Sequence, residues 1–348
     1  MKKVLFATTA LIATASMAAA DVRISGYGRF GLDYNEANKA VVGRSTSNIT
    51  SRLRLQFDMS AESDNGIAFG ARYRIQSESR DGIANTAVAN GGRFFLSSGG
   101  FTLQVGNILG ALENMPGTYL ETRTAGAGID GAGFTSHVGN LANAAFKWDA
   151  YSSAGAGRNG VEVLGSVGDF RGHISYSRSN DTAAVAAVTA LDSGGDTYIL
   201  EPATAAAIGV ERTAINLAYS FGDWNAAIGY QDSNVASEDK TIVSVWGDLG
   251  QFGVRAAYAD NDGVSKWGLY GNMDIGAASN ILIFVVDESA TSAADIANGH
   301  VNNVGNGEGT GYGIHYSYDL GGGASFEAAI VENSKDMTTA QAGVYFAF

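Results

Sequence analysis

Arginines recur at alternate positions in neighbouring stretches of this chain: Arg52 and Arg54 flank Leu53, Arg72 and Arg74 flank Tyr73, and Arg29 lies in a stretch before them. In an extended chain, residues two apart share a face. Close, bare like charges repel by about 1–4 kcal/mol per pair at 4 Å. A face carrying this pattern therefore needs compensation, from water, anions and distant acids, or from neighbouring carboxylates such as Asp33, Asp58 and Glu78. Other chemistry is sparse. The chain has no cysteine, which excludes a disulfide framework and any thiolate site. His137, His173, His300 and His315 are scattered, without metal-ligand spacing. Ser175 beside His173 is the nearest approach to a hydrolytic pair, and no orienting acid is evident for it. Glu238 with Asp239, and Asp260 with Asp262, offer oxygen ligands of the kind Ca²⁺ takes, although solvated loop charge is the ordinary fate of such clusters. No cofactor is required by any motif. A net charge of −13 argues against a nucleic-acid partner.

The elements that position the arginines are strands. Val22, Ile24, Phe30, Leu32 and Tyr34 fall on one face of the first, with Arg23, Ser25, Tyr27, Arg29 and Asp33 on the other. Leu53, Leu55, Phe57 and Met59 oppose Arg52, Arg54, Gln56 and Asp58 in the second, and Ile67, Phe69, Ala71, Tyr73 and Ile75 oppose Arg72, Arg74 and Gln76 in the third. Period-2 alternation marks a strand between two environments. Further strands are read at 93–97, 101–107, 161–167, 170–178, 212–220, 224–231, 241–247, 252–259, 266–273, 280–286, 311–320 and 324–332, and the last at 340–348. Residues 108–160 interrupt the pattern, and Ala144–Ala150 is read as part of that interruption. The total is about sixteen strands, joined alternately by short Gly/Asp turns and by longer loops.

Nowhere does the chain hold the run of about 18 apolar residues that a transmembrane helix needs, yet its mean hydropathy is neutral. A membrane barrel reconciles these, because only every second residue meets lipid. Arginine facing lipid at mid-depth would cost roughly 2–4 kcal/mol. Parity instead puts Arg29, Arg52, Arg54, Arg72 and Arg74 on a water-facing lumen wall, and counting from the turns puts Arg29, Arg54 and Arg72 near one height. Residues 1–20 read as a signal peptide: Lys2 and Lys3, an apolar core from Val4 to Ala15, and small residues before a cut after Ala20. Residues 21–348 form one domain. The expected fold is all-β: a transmembrane antiparallel β-barrel of about 16 strands, with short periplasmic turns and long extracellular loops. The final strand alternates Val344, Phe346 and Phe348 outward and ends on an aromatic residue, as a strand reaching an interfacial girdle does.

Several of these stretches resemble a known family. Asp21–Leu32 resembles the opening strand of Gram-negative general diffusion porins. Ser317–Ser325 and the terminal Phe346-Ala347-Phe348 resemble the end of the Rhodobacter-type members, and Gly106–Ala111 with Glu113 and Glu121 resembles the start of their third loop. The resemblance implies a homotrimer in the outer membrane of a Gram-negative bacterium, in contact with its lipid. It implies a third loop, here 108–160, folded into the lumen, and passive diffusion of small hydrophilic solutes and ions without enzymatic activity. The arginines then form one wall of a pore eyelet, with Glu113, Glu121 and Asp130 of the third loop as the facing acids. Arg255, Lys266 and Tyr27 are further, weaker candidates for the lining. Val344, Phe346 and Phe348 become the closing strand and assembly signal. The loop departs from the family pattern in being acid-poor and Gly-rich, with Pro116 inside it. The alternative is a substrate-specific outer-membrane channel of the same fold, which an aromatic track along the lumen would mark; parity sends most aromatics outward.

Overall fold

A computed structural model of the chain describes residues 21–80, 82–84, 86–119, 147–191, 197–201, 204–235, 238–290 and 308–348. The signal segment, Glu121, Asp130, His137 and His300 lie outside these residues. Sixteen strands form a closed antiparallel barrel: β1 (Asp21–Asn35), β2 (Ser47–Glu62), β3 (Ala68–Arg80), β4 (Arg93–Ser98), β5 (Phe101–Asn107), β6 (Asn159–Val167), β7 (Phe170–Arg178), β8 (Glu211–Phe221), β9 (Trp224–Ser233), β10 (Lys240–Leu249), β11 (Phe252–Asn261), β12 (Val264–Ile275), β13 (Ser279–Glu288), β14 (Gly309–Gly321), β15 (Ala324–Glu332) and β16 (Thr338–Ala347). Each strand pairs with its sequence neighbours, and β1 also pairs with β16. Closure leaves no open edge, which is what a sheet surrounded by lipid requires. Short two-residue strands at 83–84 and 88–89, and a hairpin of 188–191 with 197–201, decorate the long loops.

Alternation sets the two surfaces. Outward positions such as Val22, Ile24, Phe30 and Leu32 are more than half exposed in the single chain, as a lipid-facing band must be. Inward positions on the same strand are polar: Arg29 is 2% exposed and Asp33 3%. The inner face also carries apolar residues, and these have a structural use. Ala214, Ala218, Ala227, Ile242, Ala259 and Val264 pack against Ala111, Leu112 and Met115 of the long third loop. A second inward cluster on β12–β15 joins Tyr270, Leu282, Phe284, Val286, Ala329 and Val331. Tyr270 and Phe284 are thus exceptions to the outward placing of aromatics.

The seam between the first and last strands is made by shape. Gly26 and Gly28 of β1 carry no side chain, and the rings of Phe348 and Phe346 lie over them; a methyl at either glycine would overlap the barrel. Gly26 and Phe348 exchange both backbone hydrogen bonds, at 2.9 and 3.0 Å. Inside the same seam, Gln341 donates to Asp33 at 2.8 Å and Tyr345 stacks on Tyr27 with centroids 5.2 Å apart.

Candidate functional site

The strand ladder fixes the order of the arginines. Arg29 of β1 lies opposite Arg52 of β2, and Tyr27 opposite Arg54. On the next ladder Arg52 faces Glu78, Arg54 faces Gln76, Gln56 faces Arg74 and Asp58 faces Arg72. Arg72 in turn faces Arg93 at the first position of β4. The guanidinium groups therefore descend the rungs from β1 to β4. Barrel strands tilt by about 35–45°, and β4 begins only at the rung of Arg72. The diagonal follows that stagger, so it becomes a band around the lumen wall.

Within the band the side chains form two parallel relays. Arg54 Nε donates to Gln76 Oε1 at 2.8 Å, Gln76 donates to Glu78 at 3.4 Å, and Glu78 pairs with Arg52. Arg74 Nε donates to Gln56 Oε1 at 2.7 Å, Gln56 donates to Asp58 at 2.6 Å, and Asp58 accepts from Arg72 at 2.5 Å. Bracing by Glu78 and Asp58 is thus real for Arg52 and Arg72. Arg54 and Arg74 meet neutral amides instead. These two and Arg93 each lie over a phenol ring: Arg54 over Tyr27 at 4.8 Å, Arg74 over Tyr151 at 4.6 Å, and Arg93 over Tyr151 at 4.8 Å. Asp33 takes Gln341 as a partner.

Between β5 and β6 the third loop runs along the inside of the wall opposite. Its outgoing limb is held by one strand after another. Leu109 and Gly110 donate their N–H groups to the carboxylate of Glu162 on β6, at 2.8 and 2.9 Å, and His173 of β7 pairs with the same carboxylate at 2.9 Å. Ala111 donates to Ser175 of β7 and accepts from Asn216 of β8. Leu112 and Met115 cover Gly229 of β9. Ser244 of β10 donates to the Gly117 carbonyl at 3.2 Å, and Arg255 of β11 donates to the Tyr119 carbonyl at 2.5 Å. The limb crosses six strands, which at a spacing of roughly 4.8 Å is about 24 Å of wall. The loop backbone groups of Leu109, Gly110, Ala111, Gly117 and Tyr119 thus gain wall partners where they lose water.

A return limb passes back over the first. The Lys147 carbonyl accepts from Gln231 and Lys240. Asp149 accepts from Arg212 at 2.8 Å and from Ser177, while Arg212 also grips Glu238 through two bonds of 2.7 Å. Tyr151 and Ser153 then reach the arginine band, Ser153 accepting from Arg74 at 3.1 Å. Gly110 is the crossing point. Its φ is +79°, and a side chain there would overlap the Asp149 carbonyl.

Of the acids expected to face the arginines, Glu113 is described. It accepts from Trp148 at 2.6 Å and from Tyr119, so it ties the two limbs together. Burial pushes its carboxyl up, against the opposing pull of those two donors. Glu121 and Asp130 fall outside the described residues. Arg255 serves as a loop anchor, and Lys266 pairs with Glu288 within the wall. Ser175 and His173, the nearest approach to a hydrolytic pair, both anchor the loop. The candidate calcium ligands have other duties: Glu238 is clamped by Arg212, Asp239 accepts from the Ser233 N–H, and Asp260 from the Gly263 N–H. Among the described residues no group of three metal-ligating side chains comes together. Sequence reasoning missed Glu162, Asp149, Arg212 and Arg93. The one signal for Glu162 was a carboxylate at an inward position between Val161 and Val163.

Comparison with known proteins agrees with this architecture. A family model described as Gram-negative porin matches residues 7–338. The chain is 28% identical over 335 residues to a protein named porin from Fuscovulum blasticum, covering 94% of this chain and all of the relative. It is 25% identical over 356 residues to a porin of Rhodobacter capsulatus, with the same coverage. A solved mutant of the Rh. blastica porin superposes with a TM-score of 0.70 at 25% identity, over 94% of this chain and all of that one.

Proposed function

The chain belongs to the Gram-negative porin family and forms an outer-membrane channel for passive diffusion, and we propose that its waist lies between the arginine band of β1–β4 and the third loop. The carrying observation is the course of that loop. Its outgoing limb is pinned across β6–β11, and its return limb ends against Arg74 and Arg93 on the other wall. Cations held on one side, with acids on the loop, set a field across the opening. Such a field orders water and favours small polar solutes over apolar ones. Glu121 and Asp130 are proposed as the facing acids, since Glu113 is committed to Trp148 and Tyr119. Residues 1–20 are proposed as a cleaved signal peptide directing the chain to the outer membrane. Three copies are proposed to pack through the apolar outer faces of the first and last strands.

Replacing Arg54 and Arg74 together with Ser tests the waist. Single-channel conductance should rise and the reversal potential under a salt gradient should move toward cation selectivity. The shift should shrink at 1 M salt, where the screening length is about 3 Å. Unchanged conductance and reversal potential at low salt would reduce the arginines to wall struts. A substrate-specific channel is the second reading, favoured by the phenol surface of Tyr27, Tyr345 and Tyr151 within the band. Saturating flux of one neutral sugar, and not of others, would support it.

A further inference from the structure

We propose that Arg54, Arg74 and Arg93 form a station for the oxyanion groups of small solutes, carboxylate or phosphate, inside the channel. The proposal rests on the waist reading above and goes beyond it by naming a solute class.

Charge bookkeeping along the band singles out these three. Two carboxylates of the band, Glu78 and Asp58, are each engaged by an arginine of its own, Arg52 and Arg72. Arg54, Arg74 and Arg93 make their contacts with Gln76, Gln56, Ser153 and the rings of Tyr27 and Tyr151, all neutral. Among the described residues, three fixed cations thus share a short arc of wall without a carboxylate counter-charge in contact. Arg93 carries the point furthest: it is 7% exposed, and its Nε and Nη1 are buried with no hydrogen-bond partner. A buried donor left unmade is costly, and an oxyanion supplies the missing acceptor together with the missing charge.

The geometry suits an oxyanion better than a halide. Each of the three guanidinium carbons lies 4.6–4.8 Å from a phenol centroid. Arg54 spends Nε on Gln76, so its terminal nitrogens are left for a ligand. A planar guanidinium edge matches two oxygens of one carboxylate or phosphate. The two glutamines hold the arginines in place from behind and are themselves tethered to Glu78 and Asp58. Tyr151 belongs to the third loop, so the station spans wall and loop. Conduction needs a station that is attractive enough to enter and weak enough to leave. Lumen water and the part-exposed setting of Arg54 and Arg74 supply the weakness.

Inorganic phosphate is the probe. Chloride current through the full-length protein in a planar bilayer is measured while phosphate replaces chloride at constant ionic strength. The expected result is a saturable fall of about twofold or more, with half-effect on the order of 1 mM. Arg54→Gln with Arg74→Gln should raise the half-effect concentration at least about tenfold, a loss of about 1.4 kcal/mol. Arg54→Lys with Arg74→Lys keeps the charge but not the flat edge, and should lie between the two. A wild-type current that follows the bulk mobility of the ions, with no saturation, overturns the station. A lysine variant indistinguishable from wild type overturns the oxyanion geometry. The waist is read separately, by a thiol reagent on the Arg54→Cys variant. Block by that reagent without saturation by phosphate sinks the station alone, and absence of both sinks the waist as well.

Discussion

Glu162 shows how much one inward carboxylate can decide. It is 1% exposed and receives two backbone N–H groups of the loop root and the ring of His173. Hydrogen bonds to a charged group contribute about 1.5–3 kcal/mol. Glu162→Gln keeps the volume but offers a single carbonyl oxygen, so it should lower stability by about 2 kcal/mol, seen as a lower unfolding temperature in detergent. It should also make single-channel current noisier, because the loop root is freed. Glu238 gives a prediction in pH. Burial pushes its carboxyl up, but the paired donors of Arg212 outweigh burial and hold it below the ordinary value near 4.3. A depressed carboxyl binds fewer protons in the folded state than in the unfolded one. Its stabilising share is therefore complete above the ordinary carboxylate range and is lost as pH falls through the folded value. The Glu238 share should be constant near neutrality, and its loss should lower the unfolding temperature on acidification below about pH 4.3. Glu238→Gln should flatten that part of the drop, and an unchanged acid limb in the variant would refute the assignment.

Among the elements, the strands were legible and the loop was not. Period-2 alternation in Val22–Tyr34 and Leu53–Met59 reports two environments directly, and closure of β16 on β1 followed from an even strand count. The arginine face was legible from the same parity. Its two glutamine relays were not, because Gln56 and Gln76 carry no charge to draw the eye and meet their arginines only across a ladder. The loop's path was hidden for a related reason. Its anchors, Glu162, Ser175, Asn216, Ser244 and Arg255, come one per strand from five different hairpin arms, with no local spacing to betray them. Two tests follow at this scale. Gly110→Ala forces a side chain into a left-handed backbone position and onto the Asp149 carbonyl. The conformation alone costs about 1–2 kcal/mol, so the unfolding temperature should fall, and steeply if the limbs cannot separate. Arg212→Ala takes the two-bond clamp from Glu238 and leaves buried Asp149 with Ser177 and with Arg158 at 3.5 Å. Losing one partner of such a group costs about 3–5 kcal/mol, and a thermal shift well short of that would mean water enters the clamp.

For the whole molecule, the seam and the waist are the two places where sequence, shape and function meet. Phe348 closes the ring by bonding Gly26 and covering its bare backbone. Deleting it should reduce the yield of assembled barrel, and a normal yield of heat-sensitive oligomer on unheated electrophoresis would count against that role. The waist can be probed cleanly, because the chain has no cysteine of its own. Arg54→Cys places a single thiol in the band, and Leu55→Cys places one on the opposite, lipid-side parity of the same strand. A bulky, charged, water-soluble thiol reagent should then lower single-channel conductance in the Arg54→Cys protein and leave the Leu55→Cys protein unchanged. If the thiol of the Arg54→Cys protein is fully labelled, as mass spectrometry would show, and the conductance stays at its starting value, the narrowest section of the channel lies elsewhere.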